Sequence, residues 1–287
     1  MMISVGVTAN PFNEKALNLA RIIHDRLKDR VELSVARDTA SALGLPGEPI
    51  EDMRVDVLLA LGGDGSLLYV LHRTECPVLG INTGTVGFLT EVDPDYDTLD
   101  GALERVVRGA YICEDRMKLA TRVGDRNLPD AVNEVVIHTA QVARMRTFEV
   151  AIDGKPLGRL RADGVILATP TGSTSYSLST GGPVVDPAID ATVLTAIAPY
   201  SAFARPLVVA PLREISVRPV EEDRETVVVV DGHREERLPR GMDVKCYRSA
   251  RRARLIRFSS HFFQRLQAKA LIPWALTGNR ADLPPPT

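Results

Sequence analysis

Four residues, Gly62-Gly63-Asp64-Gly65, follow directly on the apolar run Val57-Leu58-Leu59-Ala60-Leu61. A short continuous apolar run is the signature of a strand covered on both faces, as in a parallel sheet flanked by helices. Glycines at its end let the backbone turn sharply and let a ligand come close to the main chain. Ser66 then opens a stretch rich in apolar residues, Leu67, Leu68, Val70 and Leu71, that reads as a helix. The N-terminal N–H groups and positive dipole end of that helix would face whatever the glycines embrace, and a phosphate suits them best. Asp64 stands as one carboxylate in that anion-friendly surface. It repels phosphate, so a base or a metal-bridging group accounts for it better than a structural role does. Taken alone, the four residues fit a plain strand-to-helix turn equally well, because Asp and Gly are favoured there. The rest of the chain has to decide.

The first 110 residues or so alternate strand and helix, as a parallel sheet with packed helices requires. Ile3 to Val7, Val31 to Val35, Val55 to Leu61 and Val78 to Ile81 read as strands. Ala16, Leu17, Ala20, Ile23 and Leu27 recur at helical spacing and make one apolar face. A second helix is expected from Asp97 to Arg108, and Glu48 to Arg54 reads as surface after the breakers Gly44, Pro46, Gly47 and Pro49.

Past Gly109 the texture turns to short β-rich runs separated by turns: Lys118 to Val123, Val132 to His138, Phe148 to Ile152 and Gly164 to Thr169. Asp153-Gly154 is a hairpin turn signal. Later runs are Val208-Val209, Glu214 to Val217, Thr226 to Val230, Val244 to Tyr247 and Ala253 to Phe258, then a closing helix from His261 to Leu271 and a Pro-rich, disordered end from Leu283 to Thr287. The expected architecture is therefore an α/β domain with a parallel sheet over 1–110, an all-β sandwich-like domain over 111–260, and a helix and tail over 261–287 packing back on the α/β domain.

Composition narrows the function. Of 287 residues 25% are charged and 45% hydrophobic, with a net charge of −2, which gives no electrostatic argument for nucleic acid or an anionic membrane. No apolar stretch approaches the ~20 residues needed to span a bilayer. The start, Met-Met-Ile-Ser-Val-Gly-Val, enters a strand-like run with no basic region or cleavage pattern, so no secretory signal is expected. Three scattered cysteines, Cys76, Cys113 and Cys246, suit a reducing cytoplasm and read as buried small hydrophobes. Five histidines form no metal-ligand spacing, and Arg251, Arg252, Arg254 and Arg257 read as a solvated strand face.

Neither a Gly-Lys-Ser/Thr phosphate loop nor Gly-x-Gly-x-x-Gly occurs, which argues against a P-loop hydrolase or a hydride-transfer dehydrogenase. Instead, polar loops recur at strand ends. Asn82-Thr83-Gly84-Thr85-Val86-Gly87-Phe88-Leu89-Thr90 follows the strand ending at Ile81. Two such loops can converge at the carboxyl edge of one parallel sheet, where these folds place ligands. Asn133-Glu134 heads the run Val135-Val136-Ile137, and such a pair can bind ribose hydroxyls or an adenine edge, although a solvated loop explains it equally well. Arg161-Ala162-Asp163-Gly164 leads through Val165 to Thr169 into Pro170-Thr171-Gly172-Ser173-Thr174-Ser175-Tyr176-Ser177-Leu178-Ser179-Thr180-Gly181-Gly182-Pro183. So many small hydroxyl residues suit a loop that hydrogen-bonds a polar ligand, with Tyr176 offering a stacking face.

In this order and spacing, GGDG, NTGTVGFLTEV, NEVVIH and RADGVILATPTGSTSYSLSTGGPVV resemble the NAD kinases from Gly62 to about Val209. The long last motif is highly specific, whereas GGDG alone is shared with diacylglycerol kinases and 6-phosphofructokinases. The wording looks prokaryotic, archaeal type included. The resemblance implies a phosphotransferase that acts on the 2′-hydroxyl of the adenosine ribose of NAD, with Asp64 as proton acceptor and Gly65 against the dinucleotide. It implies that Phe88 packs on the adenine side, Asn133 and Glu134 grip the dinucleotide, and Arg144 contacts bound nucleotide. It further implies that Arg161 and Asp163 reach a neighbouring subunit's ligand or the nicotinamide end. Thr174, Ser175, Tyr176, Ser177, Leu178 and Ser179 match the adenosine-contacting loop. His233 stands where many members carry Gln, a departure that puts its role in doubt. ATP or polyphosphate as donor, Mg²⁺ or another divalent metal carried by the donor phosphates without a dedicated protein cage, and a homodimer or homotetramer complete the expectation. The alternatives are a lipid or sugar kinase on the same GGDG scaffold and an inactive dinucleotide-binding regulator.

Overall fold

The computed structural model describes residues 2–84, 87–92, 96–221, 224–259, 262–269 and 271. Its first half alternates as β1 (Ser4–Ala9), α1 (Glu14–Leu27), β2 (Glu32–Val35), α2 (Arg37–Leu43), β3 (Val57–Leu61), α3 (Asp64–Leu71), β4 (Val78–Ile81) and α4 (Tyr96–Val107). Strands β2, β1, β3 and β4 lie side by side in that order, all parallel. Every residue of β3 and β4 is buried, as their unbroken apolar runs require. Helix α1 begins where the Asn13 side chain accepts a bond from the Ala16 N–H at 3.1 Å. It buries Ala16, Leu19, Ala20, Ile23 and Leu27 against the sheet. The chain leaves β1 for β2 on one side, and β3 joins β1 on the other. A crevice therefore opens at the carboxyl ends of β1 and β3, the position at which open α/β sheets bind ligands.

The second half contains β5 (Ile112–Val123), β6 (Arg126–Ala131), β7 (Glu134–Thr139), β8 (Arg146–Ile152), β9 (Lys155–Ala162) and β10 (Gly164–Ala168). A short 3₁₀ turn at Thr171–Thr174 and α5 (Tyr176–Ser179) come next. The chain then forms β11 (Thr192–Ile197), β12 (Leu207–Val209), β13 (Ile215–Pro219), β14 (Thr226–Val230), β15 (Arg234–Leu238), β16 (Val244–Arg257) and α6 (Phe262–Ala268). Six of these strands form an antiparallel sheet in the order β12-β11-β10-β7-β14-β15. It packs face to face on a second layer containing β5, β8, β13 and β16, with Phe148, Val165, Leu167, Val217 and Val244 in the shared core. An α/β part with a parallel sheet, an antiparallel sandwich and a C-terminal helix together make up the fold.

Several elements differ from the sequence expectation. The parallel sheet does not stop at the change of texture near Gly109. Strand β16 continues it, pairing antiparallel with β5 and meeting β4 in parallel at Leu255 and Val78. The two runs expected as separate strands are this one strand, interrupted by a bulge between Arg248 and Arg252. Its arginines are paired, not merely solvated: Arg251 with Asp130 at 2.9 Å, Arg252 with Asp190 at 2.6 Å, and a buried Arg257 with Glu114 at 3.1 Å. The segment expected as surface carries Met53, 0% exposed, whose methyl covers the space beside Gly6. Of the cysteines only Cys246 is fully buried, Cys76 is half-buried and Cys113 is exposed. The sequence reading contains no helix for α2 and no strand for β6, β9, β11 or β15. For the closing helix the described part is α6, while His261, Ala270 and the Pro-rich end lie outside the described residues. Among the described residues no helix is long and apolar enough to cross a membrane.

Because Leu255 is buried where β16 joins β4, Leu255→Ala is expected to destabilise the whole chain by about 2–5 kcal/mol. Urea unfolding of the variant beside the parent checks this.

Candidate active site

The Gly-Gly-Asp-Gly segment turns from β3 into α3, with Gly63 as N-cap and Asp64 already in the first helical turn. Asp64 therefore enters the helix two residues earlier than the expected start at Ser66. Its carboxylate reaches across to the loop after β4. Oδ2 accepts the Phe88 N–H at 2.7 Å, and Oδ1 accepts those of Leu89 and Thr90 at 3.1 and 3.3 Å. Asp64 thus has a structural task, holding the loop after β4, beside any chemical one. The contact depends on Gly87, since a Cβ there would lie 1.9 Å from Asp64 Oδ1. Thr85 and Val86 of the same motif lie outside the described residues.

A second carboxylate organises the other half of the site. Asp231, at the β14–β15 turn, is buried and accepts the backbone N–H groups of Val132, Asn133 and Glu134 at 2.7, 2.8 and 2.8 Å. His72 Nε2, from the residue that caps the C-terminus of α3, lies 2.8 Å from Asp231 Oδ2. The helix that presents Asp64 at one end is therefore tied at its other end to the segment that presents Asn133 and Glu134. Asp231 has no role legible in the sequence. Asp-Gly reads as a hairpin turn, and nothing local signals that its carboxylate holds a segment 97 to 99 residues away.

Glu134 is buried, and Ser175 Oγ donates to its Oε1 at 3.3 Å. Its Oε2 is buried with no hydrogen-bond partner among the described residues. Burial, reinforced by the negative charge of Asp231 and opposed by the Ser175 hydroxyl, pushes the Glu134 carboxyl up to about 8. The hydroxyl-rich segment coils beside it. Gly172 packs so tightly on Asn133 that a Cβ would lie 2.1 Å from the Asn133 carbonyl oxygen. Thr174, Ser175 and Leu178 are half-exposed, and Tyr176 and Ser179 are exposed. Ser177 is fully buried, and its Oγ has no hydrogen-bond partner among the described residues.

The crevice at the ends of β1 and β3 is a cleft of about 820 Å³ whose walls include Thr8, Asn10, Arg37, Gly63, Gly65, Tyr69, Arg73 and His233. His233 comes from the Asp231 turn, so the residue that departs from the family pattern still meets the GGDG loop. Phe88 is half-buried and shares a neighbouring cavity of about 280 Å³ with Arg116, Thr171 and Thr174. Asp64, Gly65, Phe88, Thr174, Ser175, Glu134, Asn133 and His233 are thus linked into one region. Among the described residues no group of three or more His, Cys, Asp or Glu could hold a metal ion.

Three expected residues lie elsewhere. Arg144 is in the exposed turn between β7 and β8, Arg161 is exposed on β9, and Asp163 precedes β10. In the ladder of β7 and β10, His138 pairs with Gly164 at that end and Glu134 with Ala168 at the other. At about 3.4 Å per residue the two ends are roughly 14 Å apart. A single chain thus places these three toward the end of that ladder opposite Glu134. Arg161 lies over the Tyr200 ring at 5.1 Å, and Asp163 Oδ1 is buried with no partner among the described residues.

Residues 44–111 match the ATP-NAD kinase N-terminal domain, and residues 132–258 match the ATP-NAD kinase C-terminal domain. The chain belongs to the NAD kinase family. It is 39% identical over 279 residues to the NAD kinase of Methanothermobacter thermautotrophicus, spanning 94% of this chain and 97% of that one. It is 40% identical over 272 residues to the NAD kinase of Thermococcus kodakarensis, spanning 92% and 97%. Among solved structures, yeast NADH kinase complexed with NADH superposes with a TM-score of 0.85 at 25% identity, over 98% of this chain and 90% of that chain. An NAD kinase from Archaeoglobus fulgidus in complex with ATP superposes with a TM-score of 0.76 at 27% identity, over 94% and 99%. The similarity spans both halves of the chain and so includes both groups of site residues.

The raised Glu134 pKa has a testable sign. In the unfolded chain this carboxyl ionises near ~4.3, so the folded state must hold a proton that the unfolded state releases between that pH and about 8. The contribution of Glu134 to stability is therefore greatest below the lower value and is lost as pH rises through about 8. Glu134→Gln, which cannot ionise, is expected to gain about 2–3 kcal/mol on the parent between pH 6 and pH 9. Denaturant unfolding of both proteins at the two pH values measures it.

Proposed function

We propose that this protein is an NAD kinase that transfers a phosphoryl group to the 2′-hydroxyl of the adenosine ribose of NAD, giving NADP. The observation that carries the reading is the unpaired, buried Oε2 of Glu134 within the region shared by Asp64, Asn133 and the hydroxyl-rich loop. A buried polar atom without a partner is costly, and a ribose hydroxyl would satisfy it. Neutral Glu134 can also donate one bond, a combination that suits a sugar better than an anion.

Asp64 is the general base. A carboxylate offers about four acceptor sites. Three are taken by the loop amides, two on Oδ1 and one on Oδ2, so Oδ2 retains a site for the ribose hydroxyl. Asn133 and Glu134 hold the dinucleotide, with Phe88 and Tyr176 as its apolar contacts and Thr174, Ser175, Leu178 and Ser179 as polar and rim contacts. His233 can donate one bond in the position of the more usual amide.

The donor occupies the crevice beside Gly63 and Gly65. The N-terminal amides of α3 and the guanidinium groups of Arg37 and Arg73 offset its charge there. ATP is the favoured donor, since the Archaeoglobus relative was solved with it, and polyphosphate is the alternative. Among the described residues none form a cage for a divalent ion, and Mg²⁺ carried on the donor phosphates would neutralise charge there. An aspartate is a weak base for a hydroxyl, so proton transfer comes late, as the bond to phosphorus forms.

Arg144, Arg161 and Asp163 contribute through a second copy of the chain. Val142 lies two residues before Arg144, Tyr200 lies under the Arg161 guanidinium, and Phe203 follows three residues after Tyr200; these side chains are 95%, 73% and 86% exposed, apolar surface that a homodimer or homotetramer would cover.

The deciding experiment is a coupled assay of NADP formation from NAD and Mg²⁺ with ATP or polyphosphate, and product with either donor is expected. Asp64→Asn should lower kcat by about 10²–10⁴-fold while NAD affinity changes only a few-fold. Near-normal kcat would remove Asp64 as base. Separately, Phe203→Glu is expected to shift the sedimentation coefficient toward the monomer. A parent protein already monomeric at micromolar concentration would refute the oligomer.

A further inference from the structure

The C-terminal strand and helix grip the same loop that holds Asp64, from its opposite side. Arg265, on α6, donates from Nη1 to the Phe88 carbonyl at 2.7 Å. Arg257, at the end of β16, donates from Nη1 to the Leu89 carbonyl at 2.8 Å. These carbonyls belong to the two peptide units whose N–H groups, from Leu89 and Thr90, donate to Asp64 Oδ1. Each peptide unit therefore has a guanidinium on its oxygen and the Asp64 carboxylate on its hydrogen. A peptide is planar and rigid, so fixing the oxygen fixes the direction of the N–H. A cation at the carbonyl also polarises the unit and strengthens the bond at the other end.

Glu91 locks the arrangement. It lies 3.1 Å from Arg257 and 3.6 Å from Arg265, and it accepts the Phe258 N–H at 2.8 Å. The ammonium of Lys269, the residue after α6, lies 4.9 Å from the centre of the Phe88 ring.

We infer that Arg265 is a positioning residue for phosphoryl transfer: through the Phe88–Leu89 peptide it sets the orientation of the Asp64 carboxylate. The inference rests on the reading of Asp64 as the base. Arg257 acts in the same way through the Leu89–Thr90 peptide, but it is buried among Glu91 and Glu114, and its removal endangers folding. Arg265 is the better probe, since it lies on a short terminal helix and its side chain retains 14% exposure. The base needs close alignment with a ribose hydroxyl, and misplacement by about an ångström costs on the order of 10²-fold in rate.

The experiment uses the full chain with Arg265→Ala and Arg265→Lys. It combines steady-state kinetics at saturating NAD and donor with amide hydrogen exchange. For Arg265→Ala, kcat is expected to fall about 10- to 100-fold with the KM for NAD within about 3-fold. Exchange should quicken at the Leu89 and Thr90 amides while β3 and β7 keep parental protection. Arg265→Lys, which can still donate to the Phe88 carbonyl, is expected to recover most of kcat. Parental kcat in Arg265→Ala would overturn the inference. So would unchanged exchange at Leu89 and Thr90, or quickened exchange across β3 and β7, which marks general loosening. A fully active Asp64→Asn variant would instead remove the base reading, and that result is distinguishable because it does not depend on Arg265.

Discussion

Two carboxylates satisfied by backbone amides, a buried Asp231 and a half-buried Asp64, hold this molecule's site together. A carboxylate removed from water must be hydrogen-bonded or it gives up its charge. Asp231 meets the requirement with three consecutive N–H groups at residues 132–134 and with His72. Asp64 meets it with three more at residues 88–90. Each joins segments far apart in sequence, and His72 and Asp64 terminate the same short helix. Helix α3 therefore couples the parallel sheet to the sandwich.

Glu134 is the contrasting case. It sits beside Asp231 with one hydroxyl donor and no amides, and burial keeps its carboxyl largely protonated at neutral pH. Two neighbouring acids thus differ in their donors: Asp231 takes the amides, while Glu134 is left with an unmet hydrogen-bonding demand. A protein that consumed all its polar groups internally would have nothing to offer a ligand. Here the demand lies in the region that the polar loops enclose.

Much of this was legible in the sequence, for identifiable reasons. The strands β1, β3 and β4 and the helices α1 and α4 are strongly periodic or continuously apolar, and they appear where the pattern places them. The loops after β3 and β4 were readable because their glycines and small polar residues recur at strand ends in an order and spacing shared with the later motifs. By contrast β9 and β15 are strands with exposed or charged sequences, KPLGRLRA and REERL, at sheet edges where burial imposes no alternation. Helix α2 is short and its cap makes no side-chain bond. Met53 and Ile50 are isolated apolar residues in a segment full of breakers, so no period announced their burial.

By itself the sequence determined the layered α/β-then-β order and the family, because each rests on local pattern or on motifs of high specificity. Only the tertiary structure decided the remainder. It made β16 a strand of both halves, buried Ser177, and put Arg144, Arg161 and Asp163 at the far end of the sheet from Glu134. It also recruited Asp231, Arg257 and Arg265 to the segments around Asp64 and Glu134. The physical reason is that a carboxylate or guanidinium bonded to a backbone amide or carbonyl leaves no trace in the partner's residue type. Any residue but proline supplies the N–H, and every residue supplies the carbonyl. Such contacts are specified by where the chain folds, not by what it is made of.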